Sequence, residues 1–60
     1  MKSIIEKELK LINKNANYYG SKEQIETEKL IYKFAFKDLG IELKYNESIE
    51  EFYTRLIKAY

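Results

Sequence analysis

The chain contains three serines, and each is followed three positions later by Glu or Gln: Ser3–Glu6, Ser21–Gln24 and Ser48–Glu51. This is the capping-box pattern. The serine oxygen accepts a backbone N–H one turn into a helix, and the Glu or Gln side chain returns to accept the serine's own N–H. Glu and Gln together occupy ten of the sixty positions, so three matches from three serines would arise by chance only about once in two hundred such chains. The pattern divides the sequence into three helices starting near Ile4, Lys22 and Ile49. A single all-α, three-helix domain spanning 1–60 is the expected fold.

Apolar spacing fills in the helices. Helix 1 is expected over about 4–17, with a main seam of Ile5, Leu9, Ile12, Ala16 and Tyr19 stepping by four and three. A thinner seam, Ile4–Leu11–Tyr18, lies ~100° around the helix. Asn13, Asn15 and Asn17 weaken the helix before Gly20, because Asn competes for local backbone hydrogen bonds. Tyr18-Tyr19-Gly20-Ser21 is a short turn, which makes helices 1 and 2 an antiparallel hairpin.

Helix 2 is expected over about 22–39, ending on Gly40 as a C′ residue with Ile41 as the hydrophobic contact of a Schellman ending. Glu23, Glu26 and Glu28 precede Lys29, Lys33 and Lys37, an order that complements the helix dipole. Ile25, Leu30, Ile31, Tyr32, Phe34, Ala35, Phe36 and Leu39 cover an arc of ~240°, leaving ~80° for Lys22, Glu26, Lys29, Lys33 and Lys37. The alternation Ile41-Glu42-Leu43-Lys44-Tyr45 reads locally as strand. It has no partner strand, so an extended linker with Ile41 and Leu43 tucked under the bundle is expected. Helix 3, about 49–60, presents Ile49, Phe52, Tyr53, Leu56, Ile57 and Tyr60 on one face and an Glu51–Arg55 pair on the other. Phe34, Leu39, Phe52 and Leu56 are the expected core anchors.

Composition bounds what such a domain can do. Cys and His are absent, which removes disulfides and the ligands that structural zinc sites prefer. It also removes the usual general base and thiolate nucleophile. The serines are assigned to caps, and the first-turn glutamates to the helix dipole. An enzyme is therefore not expected, nor a cofactor, a metal or a small-molecule substrate. Net charge is +1, which implies neither a polyanion nor a membrane surface. Apolar runs are too short to span a bilayer. Met1-Lys2-Ser3-Ile4-Ile5-Glu6 turns charged too soon for a signal-peptide core, so a cytoplasmic location is expected. The dominance of Lys, Ile, Asn and Tyr points to an AT-rich genome, such as that of a phage or plasmid.

Two surfaces remain as functional candidates. Lys22, Lys29, Lys33 and Lys37 could track phosphates, although Glu26 interrupts them and the pI is only ≈ 7.9. This makes weak nucleic-acid binding the secondary expectation. The leading one is a protein–protein interaction module: a small regulator, inhibitor or accessory subunit, with a homodimer as one form. Sixty residues lie near the lower limit for a self-sufficient core, and three short helices cannot cover a ~240° arc. Either the Ile4–Leu11–Tyr18 seam or the Leu30/Phe34 edge is then left outside, with Tyr53 and Tyr60 near a helix end. Tyr-rich apolar surface of this kind is what interfaces use.

Overall fold

The computed structural model describes all residues from Met1 to Tyr60. Three helices carry the fold: α1 (Lys2–Lys14), α2 (Lys22–Phe34), which runs on through a π-helical turn at Ala35–Leu39, and α3 (Ile49–Ala59). There is no strand, and the chain is a small all-α three-helix domain. The linker from Ile41 to Ser48 is irregular.

Two of the three serine caps form. Ser48 makes the complete box: its Oγ accepts the Glu51 N–H at 3.2 Å, and Glu51 Oε1 accepts the Ser48 N–H at 3.1 Å. At Ser21 only half the box forms. Its Oγ accepts the Gln24 N–H at 3.2 Å, whereas Gln24 Oε1 accepts the N–H of Gly20 instead, at 3.1 Å. The Ser21 N–H is already donated to the Tyr18 carbonyl.

Ser3 does not cap. α1 starts earlier, with Met1 at the N-cap position and no side-chain cap, and the Ile5 N–H donates to the Met1 carbonyl at 3.1 Å. Met1 packs against the core in that arrangement, and an exposed first-turn serine offers little at a terminus that frays. Substitution separates these roles. Ser48→Ala should lower stability by about 1 kcal/mol, whereas Ser3→Ala should stay within about 0.5 kcal/mol. Equal losses in a denaturant titration would contradict the helix starts described here.

The helix ends have local causes too. α1 stops at Lys14 rather than at Asn17, because Asn15 turns extended (φ −130°) and its Oδ1 accepts the Asn17 N–H at 3.1 Å. That Asx turn gives the backbone an alternative to another helical turn. Gly40 takes the left-handed conformation (φ 66°), which suits a residue without Cβ. The closure resembles a Schellman motif widened by one residue. The Gly40 N–H reaches the Phe36 carbonyl at 3.2 Å, and the Ile41 N–H reaches the Ala35 carbonyl at 3.1 Å. Ile41 packs against the core as expected. Leu43 is not in the core; it is 41 % exposed.

Arg55 ties the linker to α3. It donates to Glu47 through Nε (2.9 Å) and Nη2 (2.8 Å), and through Nη2 to the Glu42 carbonyl at 2.6 Å. Its guanidinium also lies 5.6 Å from the centre of the Phe52 ring. The expected Glu51–Arg55 pair is therefore absent, because the Glu51 carboxylate is held by the Ser48 N–H. Bonding to Arg55 holds the Glu47 carboxyl below its ordinary range.

α1 and α2 form the antiparallel hairpin, yet α1 packs chiefly against α3. The core consists of Ile5 and Ile12 from α1, Ile31 and Ala35 from α2 and its π turn, and Ile49, Phe52, Tyr53 and Leu56 from α3. Tyr32 meets Phe52 edge to face at 5.4 Å. Of the main seam expected on helix 1, Ile5 and Ile12 are buried and Leu9 packs against the core, with Glu8 buried between them, while Ala16 and Tyr19, beyond the end of α1, are exposed. Phe34 is not a core anchor, being 37 % exposed, and Leu39 is only partly buried.

Candidate interaction surface

The side of α2 that faces inward is narrower than its apolar arc and partly polar. Gln24, Ile31 and Ala35 are buried and Glu28 is half-buried, a stripe stepping by four, three and four. Opposite it on α1, Glu8 is buried between Ile5 and Ile12. Tyrosine hydroxyls and an amide hold these carboxylates. Tyr18 donates to Glu8 Oε1 at 2.5 Å. Tyr32 donates to Glu28 Oε1 at 2.6 Å, and Gln24 Nε2 donates to Glu28 Oε2 at 3.2 Å. Gln24 thus spans from the Gly20 turn to Glu28 and fastens the start of α2.

This polar core has two loose ends. Glu8 Oε2 and the Tyr53 hydroxyl are buried with no hydrogen-bond partner. Burial raises the pKa of Tyr53, and the charges of Glu28 and Glu8 raise it further. A buried hydroxyl without a partner costs roughly 1–3 kcal/mol of desolvation. Tyr53→Phe should therefore leave stability unchanged or raise it by about 1 kcal/mol. A clear loss in a thermal or urea melt would mean that the hydroxyl has a partner after all.

Because the inward stripe is spent on Gln24, Glu28, Ile31 and Ala35, large apolar side chains stay outside on both flanks of α2. On one flank Leu30 is 43 % and Phe34 37 % exposed, and with Lys33 and Lys37 they line a groove of about 290 Å³. On the other, Ile25 and Phe36 are exposed. Phe36 joins Tyr32, Ile41, Leu43 and Phe52 around a second groove of about 280 Å³.

The candidate interface residues therefore divide. Ile4, Leu30, Phe34 and Tyr60 are exposed, whereas Leu11 and Tyr18 are half-buried, the Tyr18 hydroxyl being committed to Glu8. Tyr53 is fully buried and offers no surface, a correction to its candidacy. As the aromatic next to Phe52 on the inner face of α3, it lies in the three-helix contact. Of these residues, the structure brings Leu30 and Phe34 together in one groove. Lys22, Lys29, Lys33 and Lys37 are all exposed. The reading of the sequence missed the Phe36 groove and the burial of Glu8 and Gln24. The signal for Glu8 was present in the spacing Ile5–Glu8–Ile12, a three-four step that a purely apolar count passes over.

No helix is long and apolar enough to cross a membrane, and no group of three or more carboxylates gathers as a metal site. No protein-family model matches the chain, and no curated protein or solved structure matches it significantly.

Proposed function

We propose that this chain is a non-catalytic protein–protein interaction module, acting as a small regulator, inhibitor or accessory subunit through the outer face of α2. The observation that carries this reading is the Leu30–Phe34 groove with its Lys33 and Lys37 rim. Two large apolar side chains on the outer face of α2 lie beside charges, where an apolar partner can cover them and the rim can set its orientation. A photo-crosslinking residue at position 34 tests the reading in cells or in a host extract, with position 45, in the fully exposed part of the linker, as the control. A protein adduct specific to position 34 is the expected result. No adduct beyond the control would overturn the reading.

The exposure of all four candidate lysines favours a second reading, a weak nucleic-acid-binding accessory protein using Lys22, Lys29, Lys33 and Lys37. Glu26 on the same strip and a net charge of only +1 weigh against it. That reading requires a low-salt gel shift, steeply weakened by added salt and lost on reversing Lys29 and Lys33. No shift at low salt would exclude it.

A further inference from the structure

The flank of α2 that carries Leu30 and Phe34 also carries two blocks of opposite charge. With ~100° per residue, Glu23, Glu26, Lys33 and Phe34 fall within about 60° of Leu30 around α2, and Lys37, in the π-helical turn that follows, lines the same groove as Leu30, Lys33 and Phe34. All six side chains are exposed. The acidic block lies on the N-terminal side of Leu30 and the basic block on the C-terminal side, with Leu30 at the midpoint. None of the four charges is in an ion pair within the chain, where the one salt bridge joins Arg55 and Glu47. Complementing the helix dipole accounts for the order of the charges along α2. It does not account for their sharing one stripe with the uncovered apolar pair.

We propose that a second copy of this chain covers this stripe, α2 against α2, antiparallel about a two-fold axis at Leu30. In that register Glu23 of one copy faces Lys37 of the other, and Glu26 lies beside Lys33 and Phe34. The two Leu30 side chains meet on the axis, and each Phe34 enters the stripe of its partner. A parallel pair would set acidic block on acidic block and basic on basic, so charge selects the antiparallel arrangement. The interface is isologous and self-complementary, as a closed two-fold dimer requires. A single helix pair of this length buries less than the ~1,200 Å² of standard stable complexes, so association is weak and depends on concentration. The inference rests on reading the outer face of α2 as the interaction surface, and it names the occupant.

Sedimentation equilibrium of the full chain from micromolar to near-millimolar concentration is the test. The apparent mass should rise from 7.2 kDa toward twice that value, and less so as salt is added. E23K/E26K and K33E/K37E should each remain monomeric, because each puts like charge on like across the axis. An equimolar mixture of the two should recover the two-chain species, because every cross-axis pair becomes opposite again. Circular dichroism establishes that the variants are folded. If E23K/E26K unfolds, K33E/K37E and Leu30→Lys, both at exposed positions beyond the first turn, decide by loss of the dimer. A single 7.2 kDa species throughout the wild-type series overturns the proposal, as does self-association that the reversals leave unchanged. If position 34 then crosslinks to a different protein, the interaction reading stands without the second copy. If it crosslinks to nothing, both fall.

Discussion

Phe52→Ala should leave the chain largely unfolded at room temperature. The Phe52 side chain is 1 % exposed, lies edge to face against Tyr32, packs beside Tyr53 and carries the Arg55 guanidinium over its ring. It is therefore the point where α2, α3 and the linker converge. Truncating a buried Phe to Ala removes about 3–5 kcal/mol, and a single small core of this size supplies only about 3–5 kcal/mol in total. Phe34→Ala, by contrast, removes a side chain that is 37 % exposed on the outer flank of α2 and should cost only about 1–2 kcal/mol. Far-ultraviolet circular dichroism and urea titration of the two variants make the comparison. A Phe52→Ala protein that melts like the parent, or a Phe34→Ala protein that does not fold, would place the core elsewhere.

The second large effect is alkaline unfolding driven by buried tyrosines. The Tyr18 hydroxyl is pushed up from 10.0 to about 12, by burial first and then by its hydrogen bond to Glu8. Tyr32 is raised by burial and by its hydrogen bond to Glu28, and Tyr53 by burial and by the charges of Glu28 and Glu8. The carboxylates facing these phenols are Glu8 from α1, with Glu23 and Glu28 from α2. A phenol that holds its proton more tightly when folded contributes stability that is fully present below its unfolded pKa and is lost as pH rises through the folded one. For Tyr18 that window runs from pH 10 to about 12.

The folded protein should therefore lose helix cooperatively in that range, with tyrosinate absorbance appearing in the same transition. Replacing Tyr53, whose hydroxyl holds no partner, by Phe should shift the transition to higher pH, since the unfolded chain then gains nothing from ionising at that site. An alkaline midpoint that does not move in Tyr53→Phe would show that other groups drive it.

Much of this architecture was legible residue by residue, because its causes are local. The Ser21 and Ser48 oxygens, the Asn15 turn and the left-handed Gly40 act over two to four residues, and neighbouring residues are known from the chain alone. Helix number, the ending with Ile41 against the core and the absence of a sheet follow from that, whereas the helix shared by the other two is α3 and not the more apolar α2. Ser3 marks the limit of such reasoning. Its pattern matched the other two serines, but α1 starts before it, with Met1 packed against the core.

Tertiary structure decided which side of each helix is inside. α2 is apolar over most of its circumference, so several orientations bury similar area, and its own periodicity cannot choose among them. Close packing of α1 on α3 and the hydrogen bonds of Gln24, Tyr18 and Tyr32 to turn and carboxylates made the choice. They drew Glu8 and Gln24 inward, buried Tyr53 and left Leu30 and Phe34 outside. The same competition reassigned Arg55: Glu51, four residues before it, was held by a cap, and Glu47 in the linker was free to take the guanidinium. Hydrogen bonds between near neighbours can be read from one segment. The choice among faces of similar hydrophobicity depends on what the other two helices cover, and that exists only once the chain has folded.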